Sequence, residues 1–384
     1  MKKTPKICGI ITKAFGAKAF LLDNLRYVAL YGGFESSFIC EKTDIFSAED
    51  LKALRYIPMD MRGGNVSPIE VFKSVWKMYR IFRKENYDII QYASSNGALY
   101  ASIAGWLARV PVRIYTQWGI SYTDYSGWKQ LFYKTMTKAT CLFSTHVQPD
   151  SFANLDFAIS ERLYSAKKGS VVFNGSATGV DTHKFDRNQA EKWRKEIRRN
   201  YNIPQDAKLF GFVGRLVPEK GINELLCAFE EIKDESTYLM IVGPDYQTER
   251  LDQSLLGRAR NNPRIIFCGN QKNTAPFYAA MDFLVLPSYR EGFGAVVLEA
   301  AALAVPSICS NIKGPTEFVK DNETGLLCEV QSTQSLLNAM RKGLNLSKEK
   351  YSTLAETAYK TALEKFDADI FRKEFLKNRL ELLK

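Results

Sequence analysis

Two carboxylates stand eight positions apart on either side of a small-residue turn. Glu291 and Glu299 fall within the run SYREGFGAVVLE of residues 288–299, which opens an apolar helix-like stretch. The run just before them, residues 282–287, is apolar and ends in Pro, a pattern typical of a buried strand at its carboxyl end. Ligands of open α/β sheets bind beyond such strand ends, where a following helix start favours anions. The pattern therefore predicts a site for an anionic ligand.

Helix geometry argues against an acid/base couple formed by these two groups. Eight residues at a rise of 1.5 Å each span about 12 Å, so Glu291 and Glu299 are better interpreted as two contacts to one elongated ligand. Purely structural roles compete with this interpretation. Glu299 would serve as a helix N-terminal carboxylate, and Glu291 as a helix cap.

A pair of cations follows an earlier apolar run, residues 209–213. Arg215 and Lys220 are five positions apart and are flanked by Gly214 and Gly221. Arg offers a planar fork for two phosphate oxygens, Lys adds a compact charge, and Gly allows close backbone approach. The turn therefore predicts a phosphate clamp. A solvated surface turn is the alternative explanation for so short a motif.

The elements that must position these residues are alternating strand-like and helix-like runs, which predict parallel βαβ units in two doubly wound halves. The runs cover residues 6–12, 19–31, 34–40, 68–85, 88–92, 98–109 and 112–116, and then 209–213, 222–232, 238–242, 264–268, 275–281, 283–286, 296–303 and 306–309. A polar segment between the halves predicts a surface linker helix. The tail, residues 366–384, has apolar positions at helical spacing and predicts an amphipathic helix.

Composition narrows the class of protein. A chain of 384 residues with 46% apolar residues and a net charge of +11 predicts two domains and an anionic partner. Seven cysteines without a CxxC pair and only two histidines predict neither disulfides nor a zinc site. No nucleic-acid motif or long basic block occurs, so nucleic acid is disfavoured against phosphorylated molecules or an anionic membrane. The first residues fit neither a signal peptide nor a membrane span, and we expect a cytoplasmic protein.

Several short motifs occur together in the second half of the chain. They are GR at 214–215, EKG at 219–221, VG at 242–243, FCG at 267–269, LPS at 286–288, EGFG at 291–294, EA at 299–300, Pro306 and Gly325. The set resembles the donor domain of family-4 retaining glycosyltransferases. In the first half, YDII at 87–90, IYT at 114–116 and NGSATGVD at 174–181 are similar to bacterial surface-polysaccharide members.

The resemblance implies an α/β protein of the GT-B fold, with two Rossmann-like doubly wound domains facing a cleft. Residues 1–185 would form the acceptor-binding domain, 186–205 a linker and 206–362 the nucleotide-sugar-binding domain. Residues 363–384 would form a helix that returns to the first domain. Specificity is expected from loops at residues 16–20, 61–67 and 118–126.

The resemblance also assigns roles to residues. Arg215 and Lys220 would hold the nucleotide diphosphate and Glu299 the ribose hydroxyls, while Glu291 and the N–H groups of Phe293 and Gly294 would hold the donor sugar. Arg215, Lys220 and Glu291 are the residues expected to be catalytic. The full donor-binding set is Arg215, Lys220, Cys268, Gly269, Glu291, Gly292, Phe293, Gly294, Glu299, Gly16 and Trp118, with Cys268 and Gly269 at the nucleobase.

The implied activity is retaining transfer of a sugar from a nucleotide-diphosphate donor, a UDP-sugar by family preference, to a glycan or polyprenyl-diphosphate-linked acceptor in capsule, O-antigen or exopolysaccharide synthesis. No cofactor beyond the donor is expected. No Asp-x-Asp stands where a Mg²⁺-bridged diphosphate would require one, which predicts metal independence. Two alternatives stay open: a UDP-sugar 2-epimerase on the same fold, and a catalytically silent sugar-nucleotide-binding subunit.

One position departs from the family pattern. Many relatives carry His-Gly after the strand that ends in Tyr-Thr, and that His contacts the donor sugar near its 6-position. This chain has Trp118 and Gly119 there. An indole favours a donor that is less polar at C6, such as a 6-deoxy sugar, and the alternative is a Trp that only packs.

Two amphipathic stretches suggest a membrane surface as a partner. Residues 69–84 place Lys73, Lys77, Arg80 and Lys84 on one helical stripe beside aromatic residues, and residues 128–138 combine Trp128, Phe132 and Tyr133 with Lys129, Lys134 and Lys138. Such helices lie on anionic lipid, although ordinary surface helices share the pattern. Peripheral association with the inner face of the cell membrane is the favoured interpretation.

Overall fold

The computed structural model describes residues 3–61, 67–245 and 247–384. The chain divides into two compact units, of which unit 1 is Met1–Thr178 with Asp369–Lys384 and unit 2 is Gly179–Ala368. Of the specificity loop predicted at residues 61–67, positions 62–66 lie outside the described residues.

Unit 1 contains a parallel sheet in the order β3-β2-β1-β4-β5-β6. Its strands are β1 (Lys6–Ile10), β2 (Glu35–Cys40), β3 (Leu54–Pro58), β4 (Ile89–Tyr92), β5 (Val112–Gln117) and β6 (His146–Pro149). Its first helices are α1 (Ala14–Phe20), α2 (Leu22–Gly32), α3 (Pro68–Glu85), α4 (Ser95–Leu107), α5 (Gly127–Phe143) and α6 (Phe152–Ser160). Separate apolar clusters cover the two faces of the sheet, as expected for a doubly wound domain.

Unit 2 contains a second parallel sheet in the order β12-β11-β10-β7-β8-β9. Its strands are β7 (Lys208–Val213), β8 (Thr237–Val242), β9 (Ile265–Gly269), β10 (Phe283–Leu286), β11 (Ser307–Ser310) and β12 (Gly325–Cys328). Its helices are α7 (Ala190–Asn200), α8 (Ile222–Glu230), α9 (Gln253–Asn261), α10 (Ala275–Ala280), α11 (Ala295–Ala301), α12 (Pro315–Phe318), α13 (Thr333–Leu344) and α14 (Lys348–Phe366). Both sheets have the strand order of a dinucleotide-binding Rossmann fold, which reverses between the first and fourth strands.

The segment predicted as a linker is part of unit 2, so the boundary between the units differs from the predicted one. Helix α7 carries Arg198, which is fully buried and whose Nη2 donates to Asp282 Oδ2 at 3.0 Å. Arg198 also donates to the backbone carbonyl of Ala280 at 3.0 Å. The high charge of this helix indicated solvent exposure, but one of its cations is an internal anchor.

The last helix, α15 (Ala368–Glu381), belongs to unit 1 from Asp369 onward. Its Phe371 and Phe375 are buried in the core cluster that contains residues of β1 and β2. Its Arg379 is buried and donates to the side chains of Gln91 on β4 and Gln148 on β6. The chain therefore closes unit 1 with its own C-terminal segment. Across the described residues, no helix is both long and apolar enough to span a bilayer.

Candidate functional site in unit 2

Three of the predicted donor residues of unit 2 follow the two strands between which its strand order reverses. Strands β7 and β10 are neighbours in the sheet, Arg215 and Lys220 follow β7, and Glu291 follows β10. Parallel neighbours end at the same edge of a sheet, and ligands of doubly wound folds bind at this reversal point. The fold therefore brings together residues that are far apart in sequence.

The loop that follows β7 contains a tight turn and carries the cations Arg215 and Lys220. Arg215 is exposed, and Lys220 closes a 3₁₀ turn, Pro218–Lys220, just before α8. Gly221 follows in the left-handed region at φ 70°, where a Cβ atom would lie 2.1 Å from the carbonyl oxygen of Pro287. Only glycine fits this close approach between the two loops without strain.

Lys220 and Glu291 form an ion pair that joins the two loops. The Lys220 Nζ atom lies 2.5 Å from Glu291 Oε1, and the buried Ser288 hydroxyl donates to the same oxygen at 2.8 Å. The Tyr289 N–H also donates to the Glu219 carbonyl at 2.9 Å. An ammonium has three donors, so pairing with one carboxylate oxygen leaves capacity for phosphate oxygens. The sequence predicted both residues, but it did not indicate their pairing.

The turn between Glu291 and α11 is closely packed. Phe293 is buried, and its ring lies 5.3 Å from that of Phe366. Gly294 precedes α11 with φ 84°. Gly314 lies so close to this turn that a Cβ atom on Gly314 would be 2.4 Å from the carbonyl oxygen of Gly292. Because α11 begins only at Ala295, residues 291–294 are not helical, and the rise of 1.5 Å per residue used for the predicted spacing of about 12 Å does not apply to them.

Glu299 has a partner that the sequence analysis missed. Tyr278 on α10 is buried, and its hydroxyl donates to Glu299 Oε2 at 2.6 Å. Burial raises the pKa of the Glu299 carboxyl above its ordinary value, and the bond from Tyr278 opposes that rise. The first turn of α11 holds no acidic residue, so Glu299 does not act as a helix N-terminal carboxylate. No motif marks Tyr278 in the sequence, because its neighbours are ordinary apolar helix residues.

Cys268 and Gly269, the residues predicted at the nucleobase, end strand β9 at the same edge of the sheet. Cys268 is buried, which raises the pKa of its thiol to about 11, and its carbonyl accepts from Gln271 Nε2 at 2.6 Å. Gly269 is exposed with φ 64°, and its carbonyl accepts from the Gly243 N–H at 2.9 Å. A protonated, buried thiol is not a nucleophile, so this strand end offers backbone groups.

The other two predicted donor residues, Gly16 and Trp118, lie in unit 1. Gly16 lies in α1, where a Cβ atom would be 2.8 Å from Cδ1 of Ile11. Trp118 directly follows β5 and is partly buried, with its ring 5.3 Å from that of Phe20. A packing role of the indole is therefore visible in unit 1.

The described residues contain no cluster of three or more His, Cys, Asp or Glu side chains arranged as metal ligands. Among the predicted donor residues of unit 2, the charged ones are Arg215, the Lys220–Glu291 pair and Glu299. This arrangement suits an elongated ligand that carries both phosphate and hydroxyl groups.

Two family models match the chain. The model of group 1 glycosyl transferases matches residues 194–361, and that of 4-like glycosyl transferases matches residues 33–151. The chain is 30% identical to the capsular polysaccharide biosynthesis glycosyltransferase CapM of Staphylococcus aureus over 79% of each chain. It is 27% identical to the UDP-Gal:alpha-D-GlcNAc-diphosphoundecaprenol alpha-1,3-galactosyltransferase of Escherichia coli, over 80% of this chain and 79% of that one.

Among solved structures, HepE of Anabaena in complex with UDP and glucose superposes with a TM-score of 0.79 at 18% identity, over 98% of this chain and 100% of that one. That likeness confirms the predicted fold class, two Rossmann-like units of the GT-B type. The family models and the similarity to CapM confirm the predicted enzyme class. The chain therefore belongs to glycosyltransferase family 4, the family of the group 1 glycosyltransferases.

Proposed function

We propose that this enzyme transfers a sugar from a UDP-sugar to a glycan or polyprenyl-diphosphate-linked acceptor, with retention of configuration, during assembly of a bacterial surface polysaccharide. The observation that carries the proposal is the joined pair of loops at the strand reversal of unit 2, where Lys220 and Glu291 meet. The acceptor class is supported by the E. coli relative, whose name specifies a diphosphoundecaprenol-linked sugar.

Each side chain at the strand reversal has a role in this proposal. Arg215 and the remaining donors of Lys220 hold the diphosphate, Glu291 accepts from hydroxyls of the donor sugar, and Glu299 accepts from the ribose. In the transition state, negative charge builds on the departing diphosphate. Fixed cations stabilise that charge more than they stabilise the ground state, which is the condition for faster chemistry.

The bond changes balance without an enzymatic nucleophile. The bond from the anomeric carbon to the diphosphate oxygen breaks, and the acceptor oxygen forms its bond on the same face of the sugar. The acceptor proton passes to the leaving diphosphate. Because Arg215 and Lys220 supply the positive charge, activity is proposed to be independent of a divalent metal. The donor is proposed to be a sugar with an apolar C6, such as a 6-deoxy sugar, because Trp118 replaces a polar side chain of relatives.

A donor panel tests the activity. The purified protein is incubated with UDP-, GDP- and ADP-sugars, first alone and then with a synthetic polyprenyl-diphosphate-linked sugar, in the presence of EDTA. We expect slow hydrolysis of one UDP-sugar alone, transfer when acceptor is added, and a product whose anomeric configuration by NMR equals that of the donor. Epimerised donor, binding without turnover, an inverted product, or activity that returns only with Mn²⁺ would each contradict part of the proposal.

We also propose that unit 1 rests on an anionic membrane through its helices α3 and α5. Helix α3 exposes Phe72 and Trp76, whose rings stack at 6.3 Å, along an open groove of about 600 Å³ lined also by Lys73, Lys77 and Arg80. Exposed aromatic residues ringed by cations fit the interface of an anionic bilayer.

Helix α5 contributes a smaller surface than its sequence indicated. Trp128, Leu131 and Phe132 are exposed, but Tyr133 stacks on Tyr125 at 4.6 Å. Lys134 is paired with Glu161 at 2.5 Å, so it is engaged within the protein. The apolar part of the predicted surface thus remains on α5, whereas the main cationic part lies on α3.

Vesicle flotation tests the membrane proposal. We expect binding to vesicles that contain phosphatidylglycerol and little binding to pure phosphatidylcholine. The double variant Lys73→Glu/Lys77→Glu should lose most of the binding, while Lys192→Glu/Lys195→Glu, which changes two exposed lysines of α7, should not. Equal losses in both variants would indicate a dependence on net charge alone, and absence of binding in the wild type would refute the proposal.

A further inference from the structure

Tyr278 and Glu299 connect two short helices in the core of unit 2. Tyr278 lies on α10 and Glu299 on α11, and the phenol hydroxyl donates to Glu299 Oε2 at 2.6 Å. The Tyr278 ring is fully buried and packs edge-on against Phe185, with ring centroids 5.9 Å apart. The donor of this hydrogen bond therefore has a fixed place in the structure.

A fixed donor restricts the carboxylate that it contacts. A glutamate side chain loses up to about 2 kcal/mol of rotamer entropy when it is held in one conformation. If the protein has already restricted Glu299 before a ligand binds, this loss of rotamer entropy does not reduce the binding free energy of the ligand. Only Oε2 is engaged by Tyr278, so Oε1 is left to accept from a ligand hydroxyl.

The protonation states agree with this arrangement. Burial, together with the adjacent Glu299, raises the pKa of Tyr278 well above its ordinary value, so the phenol keeps its proton and donates. Burial raises the pKa of Glu299 above its ordinary value, and the hydrogen bond from Tyr278 and the nearby Lys184 charge limit that rise. The carboxylate is the form that accepts hydrogen bonds on both oxygens.

We infer that Tyr278 is a positioning residue of the donor site, which fixes the Glu299 carboxylate so that it accepts from a ribose hydroxyl of the nucleotide. The inference rests on the proposed ribose contact of Glu299. It adds to the donor site a residue that does not itself touch the nucleotide.

Nucleotide analogues test the inference without any need for catalysis. The affinities of UDP, 2′-deoxy-UDP and 3′-deoxy-UDP are measured by calorimetry for the wild type, Glu299→Gln and Tyr278→Phe. We expect the wild type to bind UDP about ten-fold or more tightly than one of the deoxy analogues, as for a hydrogen bond to a charged group. Tyr278→Phe should narrow this ratio to about two- to three-fold, because Glu299 then loses its fixed orientation.

A matched control separates positioning from stability. Tyr351 is a partly buried tyrosine of unit 2, and its hydroxyl donates to the Asp282 carbonyl at 2.8 Å, at the opposite end of strand β10. Tyr351→Phe also removes one partly buried hydrogen bond of a tyrosine hydroxyl, but it should leave the UDP to deoxy-UDP ratio unchanged. If Tyr278→Phe fails to fold, Tyr278→Met removes the same hydroxyl with a more adaptable side chain.

The pH dependence gives a second readout that a merely structural role would not change. Ribose hydroxyls donate to the carboxylate, so UDP affinity should fall as the pH falls through the pKa of Glu299. Tyr278 lowers that pKa, so its removal should shift the fall to higher pH. Tyr351→Phe should not shift it.

The outcomes distinguish the positioning role of Tyr278 from the proposed ribose contact of Glu299. If the wild type discriminates and Glu299→Gln does not, but Tyr278→Phe keeps the full ratio and pH profile, the positioning role is refuted and the ribose contact stands. If the wild type does not discriminate, or Glu299→Gln keeps the full ratio, the ribose contact itself is refuted and the positioning role falls with it.

Discussion

The Nζ atom of Lys220 lies 2.5 Å from Oε1 of Glu291, and this contact joins the loops that follow two neighbouring strands. The carboxylate is only slightly exposed, and Ser288 donates to the same oxygen. A cation proposed for the diphosphate and a carboxylate proposed for the sugar are therefore coupled before any ligand binds. Changes at one residue should alter the other.

The first prediction concerns this coupling. Lys220→Ala should lower kcat/KM by about 10²- to 10³-fold, the usual effect of removing one donor to a developing negative charge. Because the same change leaves Glu291 with an unpaired charge, Lys220→Ala/Glu291→Gln should cost less than the sum of the single changes. Steady-state kinetics of the three variants measure this difference.

The exposed Lys233, which donates to the Glu230 carbonyl at the C-terminal end of α8, provides the control. Lys233→Ala should keep wild-type kinetics. Strict additivity of Lys220→Ala and Glu291→Gln would show that the ion pair has no role in the reaction.

The second prediction concerns the contact between the loops at Gly221. A Cβ atom at this residue would lie 2.1 Å from the Pro287 carbonyl oxygen, and φ is 70°. Gly221→Ala should therefore displace the loop that carries Glu291, reduce activity strongly and lower the free energy of unfolding by about 1–3 kcal/mol. Thermal unfolding and kinetics of the purified variant check both effects.

Gly257 provides the opposite case in the same unit. It lies inside α9, and beyond its chain neighbours and the backbone of its own helix no described atom is within 4 Å of a Cβ placed there. Gly257→Ala should leave activity intact and raise the free energy of unfolding by roughly 0.5–1 kcal/mol. If Gly221→Ala behaved like Gly257→Ala, the two loops would not need their close approach.

The sequence predicted most of the scaffold, because β7 and β10 are continuous apolar runs of buried strands. It missed β3, β6 and β12, which are edge strands in their sheets. Edge strands have one unpaired side and tolerate polar residues, so the His-Val-Gln-Pro of β6 lacks a continuous apolar signal. Strand β12, Gly-Leu-Leu-Cys, is apolar but only four residues long.

The candidate site also contains residues that the sequence predicted and partners that it did not predict. Lys220, Glu291 and Glu299 could be chosen from motifs, because their residue types and spacing suit a nucleotide sugar. Their partners could not, since Lys220 and Glu291 are 71 residues apart in sequence and Tyr278 lies 21 residues from Glu299. Such pairings depend on which strands are neighbours, and no local pattern encodes this.

The third prediction concerns Trp118 in unit 1. Its ring packs at 5.3 Å from that of Phe20, so its indole has an apolar neighbour. Trp118→His should lower activity with the native donor and raise activity with a donor that has a 6-hydroxyl, because imidazole supplies a hydrogen-bonding group. The ratio of kcat/KM for matched 6-deoxy and 6-hydroxy donors measures the change.

Trp106 on α4 offers a control, since it is half exposed and also packs on a single ring, that of Phe143 at 5.3 Å. Trp106→His should leave the donor ratio unchanged. A wild-type preference for UDP-glucose over its 6-deoxy counterpart would contradict the proposed role of Trp118.

The last prediction concerns Arg198, which anchors α7 to unit 2. Its guanidinium is fully buried, pairs with Asp282 at 3.0 Å and donates to four backbone carbonyls, of which that of Ala207 is 2.7 Å away. Burial lowers the pKa of the guanidinium, but an arginine starts so high that it stays charged at neutral pH. Arg198→Ala removes these hydrogen bonds and leaves Asp282 with Arg194 as its remaining cation, while the Ala280 carbonyl keeps the bond from Arg194 at 3.1 Å. Removing one partner of a buried ion pair costs about 3–5 kcal/mol, and we expect a loss of this size in the free energy of unfolding measured with urea.

Lys195→Ala on the same helix provides the control, because it removes only the exposed pair with Glu191 and should change stability by less than about 0.5 kcal/mol. Equal stability of the two variants would mean that α7 is a surface linker, as its charge first suggested.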